Sequence, residues 1–175
     1  MRIDADRPIT YSQFSAGSYH WFAVGSDGNW YTWGSNLHGQ LGNGSTTSSR
    51  VPTILSTPDN VSYTQVTGGN AHSVAIGSDG NTYAWGSNEY GQLGNNSSTD
   101  SFAPVQVSTP PGVRFTQLAK GEYHTVALGT DQNWYAWGAN WQRQLGNDDP
   151  NPSRVPVQVS TPDGVKFTQV EACRV

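Results

Sequence analysis

Three histidines, His20, His72 and His124, stand 52 residues apart. Three imidazoles are the donor number of a catalytic zinc site, which keeps its fourth position for water. Equal spacing along a repetitive chain argues against that use, because repetition spreads equivalent side chains around an axis rather than converging them. Each ring is expected to hold a local hydrogen bond to backbone instead. Asp27, Asp79 and Asp131 recur on the same period, beside Gly28, Gly80 and Gln132, where Asp is favoured for turn geometry alone. They do not form an acid/base pair. Asp148-Asp149-Pro150-Asn151 lacks the glycine and the closing bidentate Glu of an EF-hand loop. Cys173 is the one cysteine, which excludes an intrachain disulfide framework and a multi-cysteine zinc site. No G-x-S-x-G elbow, Walker loop, dinucleotide fingerprint or H-E-x-x-H pair occurs. The residues therefore read as non-catalytic, with no catalytic, metal-ligating or cofactor-binding residue and no cofactor assigned.

Charge narrows the partners. Charged residues make up 13% of the 175 and aromatics 11%, with a formal net charge of -4. Nucleic-acid affinity is built from clustered Lys and Arg, and the nine basic residues here are scattered. A nucleic-acid partner is not expected. A membrane partner is not expected either: no window approaches the roughly 20 apolar residues of a spanning helix, and Met1-Arg2-Ile3-Asp4-Ala5-Asp6 carries no apolar signal core.

The elements that place these side chains repeat with them. Trp33, Trp85 and Trp137 share the 52-residue spacing, as do Leu41, Leu93 and Leu145. Units run 9–60, 61–112 and 113–164, after an N-terminal segment 1–8 and before a partial fourth unit 165–175. Within a unit the patterns are those of short strands: Phe115–Leu118, His124–Leu128, Asn133–Trp137 and Pro156–Val159 in the third copy. Four strands per unit is the arithmetic of a propeller blade. Asp27-Gly28 and Asp79-Gly80 supply the positive φ of a tight hairpin turn, and Asp131-Gln132 departs from them, which predicts a strained turn. No stretch sustains a helical apolar period. The class is all-β: four-stranded antiparallel blades, about three per chain, forming part of a ring.

The segments Trp33-Gly34-Ser35-Asn36-Leu37-His38-Gly39-Gln40-Leu41-Gly42, Trp85–Gly94 and Trp137–Gly146, with the upstream Gly121–Leu128, carry a resemblance. They are similar to the W-G-x-N-x-x-G-Q-L-G signature and the G-x-x-H-[ST]-x-A-L strand of regulator-of-chromosome-condensation repeats. The resemblance implies a β-propeller, usually of seven blades. It also implies a family that includes exchange factors for a small GTPase, chromatin-associated proteins and a secreted inhibitor of β-lactamases. Arg143 stands where Gly39 and Gly91 stand, and Cys173 where Gly17, Gly69 and Gly121 stand. Three and a fifth units do not close such a ring, so two expectations follow: a piece of a longer ring, or a homodimer in which two copies complete the propeller. Near-identical repeats, Ser-Thr loops and low charge resemble bacterial extracellular members, so a secreted or cell-surface location is preferred over a cytoplasmic one.

Positions that recur in all three copies answer the needs of the blade, so Trp33, Trp85 and Trp137 read as packing between blades. Asn36, Asn88 and Asn140 read as loop braces. Positions where the copies differ are free to serve a partner. In the turn before each histidine these are Tyr19, Glu122 and Tyr123, and in the loop after each tryptophan Leu37, His38, Glu89, Tyr90, Trp141 and Gln142. Tyr and Trp supply contact area at low entropic cost, which makes this set the candidate surface for a protein partner, inhibitor-like or adhesive. Two alternatives stand beside it: a carbohydrate-binding propeller, and a structural repeat that closes a ring with other copies.

Overall fold

The computed structural model describes residues 8–163 and 165–168. Residues 1–7, Cys173 and most of the partial fourth unit lie outside the described residues. Blade 1 is β1 (Tyr11–Ala16), β2 (His20–Gly25), β3 (Trp30–Gly34) and β4 (Ser49–Ile54). Blade 2 is β5 (Tyr63–Gly68), β6 (His72–Gly77), β7 (Thr82–Gly86) and β8 (Ser101–Gln106), and blade 3 is β9 (Phe115–Lys120), β10 (His124–Gly129), β11 (Trp134–Gly138) and β12 (Ser153–Gln158). Each sheet is antiparallel and in chain order, so every strand pairs only with its neighbours in sequence. The fourth strand starts at Ser153 rather than Pro156, with Ser153 opposite Gly138. Pro52, Pro104 and Pro156 all lie in these fourth strands, whose outer edges pair with no further strand, so the missing N–H costs no ladder bond.

The first strands of successive blades, β1, β5 and β9, lie against one another and form the inner rim. There the Gln65 amide is bidentate to the next blade: Leu118 N donates to Gln65 Oε1 at 3.1 Å and Gln65 Nε2 donates to Leu118 O at 3.2 Å. One rim strand thereby satisfies the free edge of the next.

The core lies between blades. Phe22, Trp30 and Leu55 of blade 1 pack with Tyr63, Val66, Ala75, Tyr83 and Trp85 of blade 2. Val74, Ile76, Leu93 and Val107 of blade 2 meet Phe115, Leu118, Tyr135 and Trp137 of blade 3 in the same way. Trp85 stacks on Tyr63 with ring centroids at 5.7 Å, and Trp137 on Phe115 at 5.4 Å. Trp85 and Trp137 are fully buried. Trp33, at the same phase, is only half-buried, because no described residue covers the leading face of blade 1.

Each β2–β3-type hairpin is tied by its aspartate. Asp27 accepts from Asn29 N at 3.1 Å, Asn29 Nδ2 at 2.9 Å and Tyr31 Oη at 2.8 Å, and Asp131 repeats this with Asn133 and Tyr135. The ties hold the third turn in the shape of the others although Gln132 adopts φ 66° where Gly28 has 84°. A left-handed conformation costs a non-glycine residue about 1–2 kcal/mol, offset by roughly 0.4–1 kcal/mol from the greater freedom of glycine when unfolded. Gln132→Gly should therefore stabilise the chain by about 0.5–1 kcal/mol, seen as a higher denaturation midpoint at unchanged m-value.

Candidate interaction surface

The loop after each Trp-Gly is long, and an asparagine organises it. Asn36 Nδ2 donates to Ser45 O at 2.9 Å and Thr47 O at 3.1 Å, while its Oδ1 accepts from Leu41 N at 2.9 Å. Asn88 and Asn140 do the same in blades 2 and 3. All three are fully buried, so they brace the loop and offer nothing to a ligand.

The braced loop clasps the next blade. The Gln40 carbonyl accepts from Ser73 Oγ at 2.7 Å and from Trp85 Nε1 at 2.9 Å, and His20 Nε2 lies 2.9 Å from the same Ser73 Oγ. Because Ser73 has a single proton and gives it to Gln40, the imidazole must be the donor to Ser73. His20 thus carries a proton on Nε2, while its buried Nδ1 has no protein partner. His72, Thr125, Gln92 and Trp137 repeat the arrangement between blades 2 and 3. The histidine partner is therefore a hydroxyl of the following blade, not the local backbone expected from the sequence. Burial, with smaller repulsions from Lys120 for His20 and from the flanking histidines for His72, holds their pKa values at about 4 and about 3. Among the described residues no group of three or more His, Cys, Asp or Glu gathers.

Clasped loops and β1–β2-type turns emerge on one face, and there three of the variable aromatic positions meet. Trp141 lies edge-on to Tyr90, with ring centroids at 4.5 Å and planes at 82°. Tyr123 lies 5.9 Å from Tyr90 and 5.8 Å from Trp141. The three rings come from three different loops of blades 2 and 3, yet Trp141 remains 52% exposed. Asn70 Nδ2 donates to Glu122 Oε1 at 2.7 Å and reaches Tyr123 Oη at 3.4 Å, which holds a carboxylate beside the rings. Burial, then Glu89, raises the Tyr90 pKa, and burial, then Glu122, raises that of Tyr123, so both phenols stay protonated donors at neutral pH. Tyr19 is exposed.

The other candidates stand apart. His38 Nδ1 is 3.1 Å from Asp100 Oδ2, a surface hydrogen bond linking the blade 1 loop to blade 2, so its imidazole is engaged within the chain. Leu37 is 75% exposed and in neither apolar interface. Gln142 is exposed, and its backbone N–H is held by Gln144 Oε1 at 2.9 Å. Asn70 occupies the variable turn before His72 but is not one of the nine candidate contacts. The signal for it was available: Asn70 and Glu122 are 52 residues apart, and adjacent blades set residues of one phase side by side.

The family model described as the regulator of chromosome condensation (RCC1) repeat matches residues 27–76, 79–128 and 133–173, each match beginning within or just after the hairpin before a blade's third strand. The chain is 32% identical over 166 residues to the Arabidopsis thaliana ultraviolet-B receptor UVR8, a match covering 94% of the chain and 38% of the receptor. It is 34% identical over 165 residues to the human probable E3 ubiquitin-protein ligase HERC3, covering 94% of the chain and 16% of that protein. Among solved structures it resembles yeast RCC1 (Prp20) bound to Kap60, with a TM-score of 0.76 at 23% identity over 86% of the chain and 37% of the yeast protein. A second crystal structure of Prp20p from Saccharomyces cerevisiae, described with its binding properties to Gsp1p and histones, gives a TM-score of 0.75 at 23% identity, over 86% of the chain and 38% of that one. The chain thus spans well under half the length of these relatives.

Proposed function

The chain belongs to the regulator of chromosome condensation repeat family, and from that premise we propose that it is a non-catalytic protein-interaction module whose contact surface is the Tyr90–Tyr123–Trp141 cluster. The carrying observation is the convergence of three aromatic rings from three loops, with Trp141 braced edge-on and still half-exposed. An anchor already held in position costs little ordering when it binds, and Trp and Tyr dominate the energetics of protein interfaces. Glu89 and Glu122 flank the rings, so the partner surface that fits best places a Lys or Arg over the cluster, where ring face and carboxylate both attract it. The yeast structures are described with Kap60, Gsp1p and histones, which supports protein binding as the mode. An inhibitor-like or adhesive role would use this same surface.

The test is binding by matched variants. Proteins retained by immobilised wild-type chain should bind a Tyr123→Ala/Trp141→Ala variant about 30-fold more weakly, the loss expected of a hot spot of ~2 kcal/mol. Leu37→Ala should bind as wild type. Equal binding by the double variant, shown folded by its circular dichroism, rejects the surface. The carbohydrate reading rests on the open side of Trp141 and would require glycan binding that the same double variant loses.

A further inference from the structure

The turns before the three histidines are not tied to one another alike. Ser18 N donates to Gly69 O at 2.9 Å, but Asn70 N donates to Glu122 O, also at 2.9 Å. Gly69 and Gly121 share a phase, so the second bond falls one residue further along its partner turn. The Asn70 side chain adds a bond of its own, from Nδ2 to Glu122 Oε1 at 2.7 Å. One residue of blade 2 thus grips one residue of blade 3 by main chain and side chain together. At the junction of blades 1 and 2 the residues of the same phase are Ser18 and Asn70, and neither carries a charge.

The charge that Asn70 holds is not neutralised within the chain. Lys120 is the cation nearest to Glu122 in sequence, but its Nζ donates to Ala16 O on blade 1. Among the described residues neither Glu122 nor Glu89 enters an ion pair. Tyr90 follows Glu89 and Tyr123 follows Glu122, so each phenol of the cluster brings a carboxylate with it. A ring face attracts a cation through its quadrupole, and a carboxylate within reach adds a charged acceptor. Of the side-chain cations a guanidinium fits this pairing best. It is planar, so it stacks on a ring while an N–H at its edge donates to the carboxylate, and it is more weakly hydrated than an ammonium. A glutamate left free gives up rotamer freedom when it pairs, whereas one already tied by Asn70 gives up little.

We infer that Asn70 is the positioning residue that sets the specificity of this surface: by holding Glu122 beside the Tyr90–Tyr123–Trp141 cluster, it makes the surface select an arginine-bearing segment of a protein partner. This role rests on the cluster being the contact surface proposed above. Trp141, 52% exposed, supplies the ring on which the guanidinium stacks, and Glu122 supplies the acceptor at its edge. Asn70 does not touch the arginine. It acts through Glu122, by fixing which way the carboxylate points. Without the amide the carboxylate keeps its charge but is free to turn into solvent, and the rings lose their preference for a cation.

Fluorescence anisotropy of labelled peptides that alternate Gly with Arg, Lys or Gln, titrated with the whole chain, tests this. The Arg peptide should bind about tenfold more tightly than the Gln peptide, with the Lys peptide between them. Asn70→Ala should remove most of that preference, and so should Glu122→Gln. On the Glu122→Gln background Asn70→Ala should have no further effect, which separates a residue acting through Glu122 from one that merely supports the fold. Asn70→Gln, which keeps the amide, should retain part of the preference, and circular dichroism confirms that each variant folds. An Arg peptide that binds no more tightly than the Gln peptide, or an Asn70→Ala chain with the wild-type preference, would overturn the inference. Loss of retained proteins by Tyr123→Ala/Trp141→Ala, without any arginine preference in the wild type, leaves the contact surface standing and removes only the specificity assigned to Asn70.

Discussion

Lowering the pH from about 7 to 5 should destabilise the chain by roughly 2 kcal/mol for each of His20 and His72. Both rings are buried and neutral, with folded pKa values of about 4 and about 3 against an ordinary 6.5. Above 6.5 neither the folded nor the unfolded form binds the proton, and the histidines add no pH dependence. As pH falls below 6.5 the unfolded chain takes up protons that the folded chain refuses, so stability falls by about 1.4 kcal/mol per unit and per histidine until the folded pKa is reached. The cause is geometric: Nε2 already donates to Ser73 or Thr125, and Nδ1 is buried without a protein partner, so a second proton has nowhere to be solvated. His124 shifts in the same direction through burial and steepens the loss. The hairpin aspartates act in a lower window. Hydrogen bonds from Asn29, then Tyr31, hold Asp27 below 3.8, so that contribution is intact above 3.8 and is lost only as pH falls further. Urea midpoints measured at a series of pH values check the slope; midpoints unchanged between pH 7 and 5 would contradict a neutral buried histidine row.

The second large effect is a difference between two chemically identical substitutions. Trp85→Ala should cost about 3–5 kcal/mol, the range for removing a fully buried large aromatic, and a large share of the total stability of a domain of this size. The indole stacks on Tyr63, meets Phe22 edge-on at 6.3 Å and donates to the Gln40 carbonyl, so its loss opens the interface of blades 1 and 2 and removes one donor from the clasp. Trp33→Ala should cost less than half as much, because that ring is only half-buried and no described residue supplies the carbonyl that Gln40 gives Trp85. Denaturant titration of the two variants side by side decides it. Equal costs would mean that the tryptophans stabilise their own blades rather than the contacts between blades.

Much of the architecture is legible along the chain. The 52-residue period places four strands in each unit, Asp-Gly places the first two hairpins, and Trp85 and Trp137 lie between blades because large apolar groups at a fixed phase have one common environment to fill. The strain at Gln132 and Arg143 is likewise readable as a side chain standing where its counterparts are glycine. What lies across the interfaces is not readable in this way. A one-dimensional comparison aligns His20 with His72, but the ring meets Ser73, one position on in the next blade. Whether Tyr90, Tyr123 and Trp141 touch depends on how far one blade is rotated against the next and on which way each loop leaves its strand. His38 shows the limit from the other side: a variable, exposed residue by sequence, it is taken up by Asp100 of the neighbouring blade. Local pattern is a property of each 52-residue unit and is written in it three times. The histidine row and the aromatic cluster are relations between units, which arise only when side chains from separate blades meet in space.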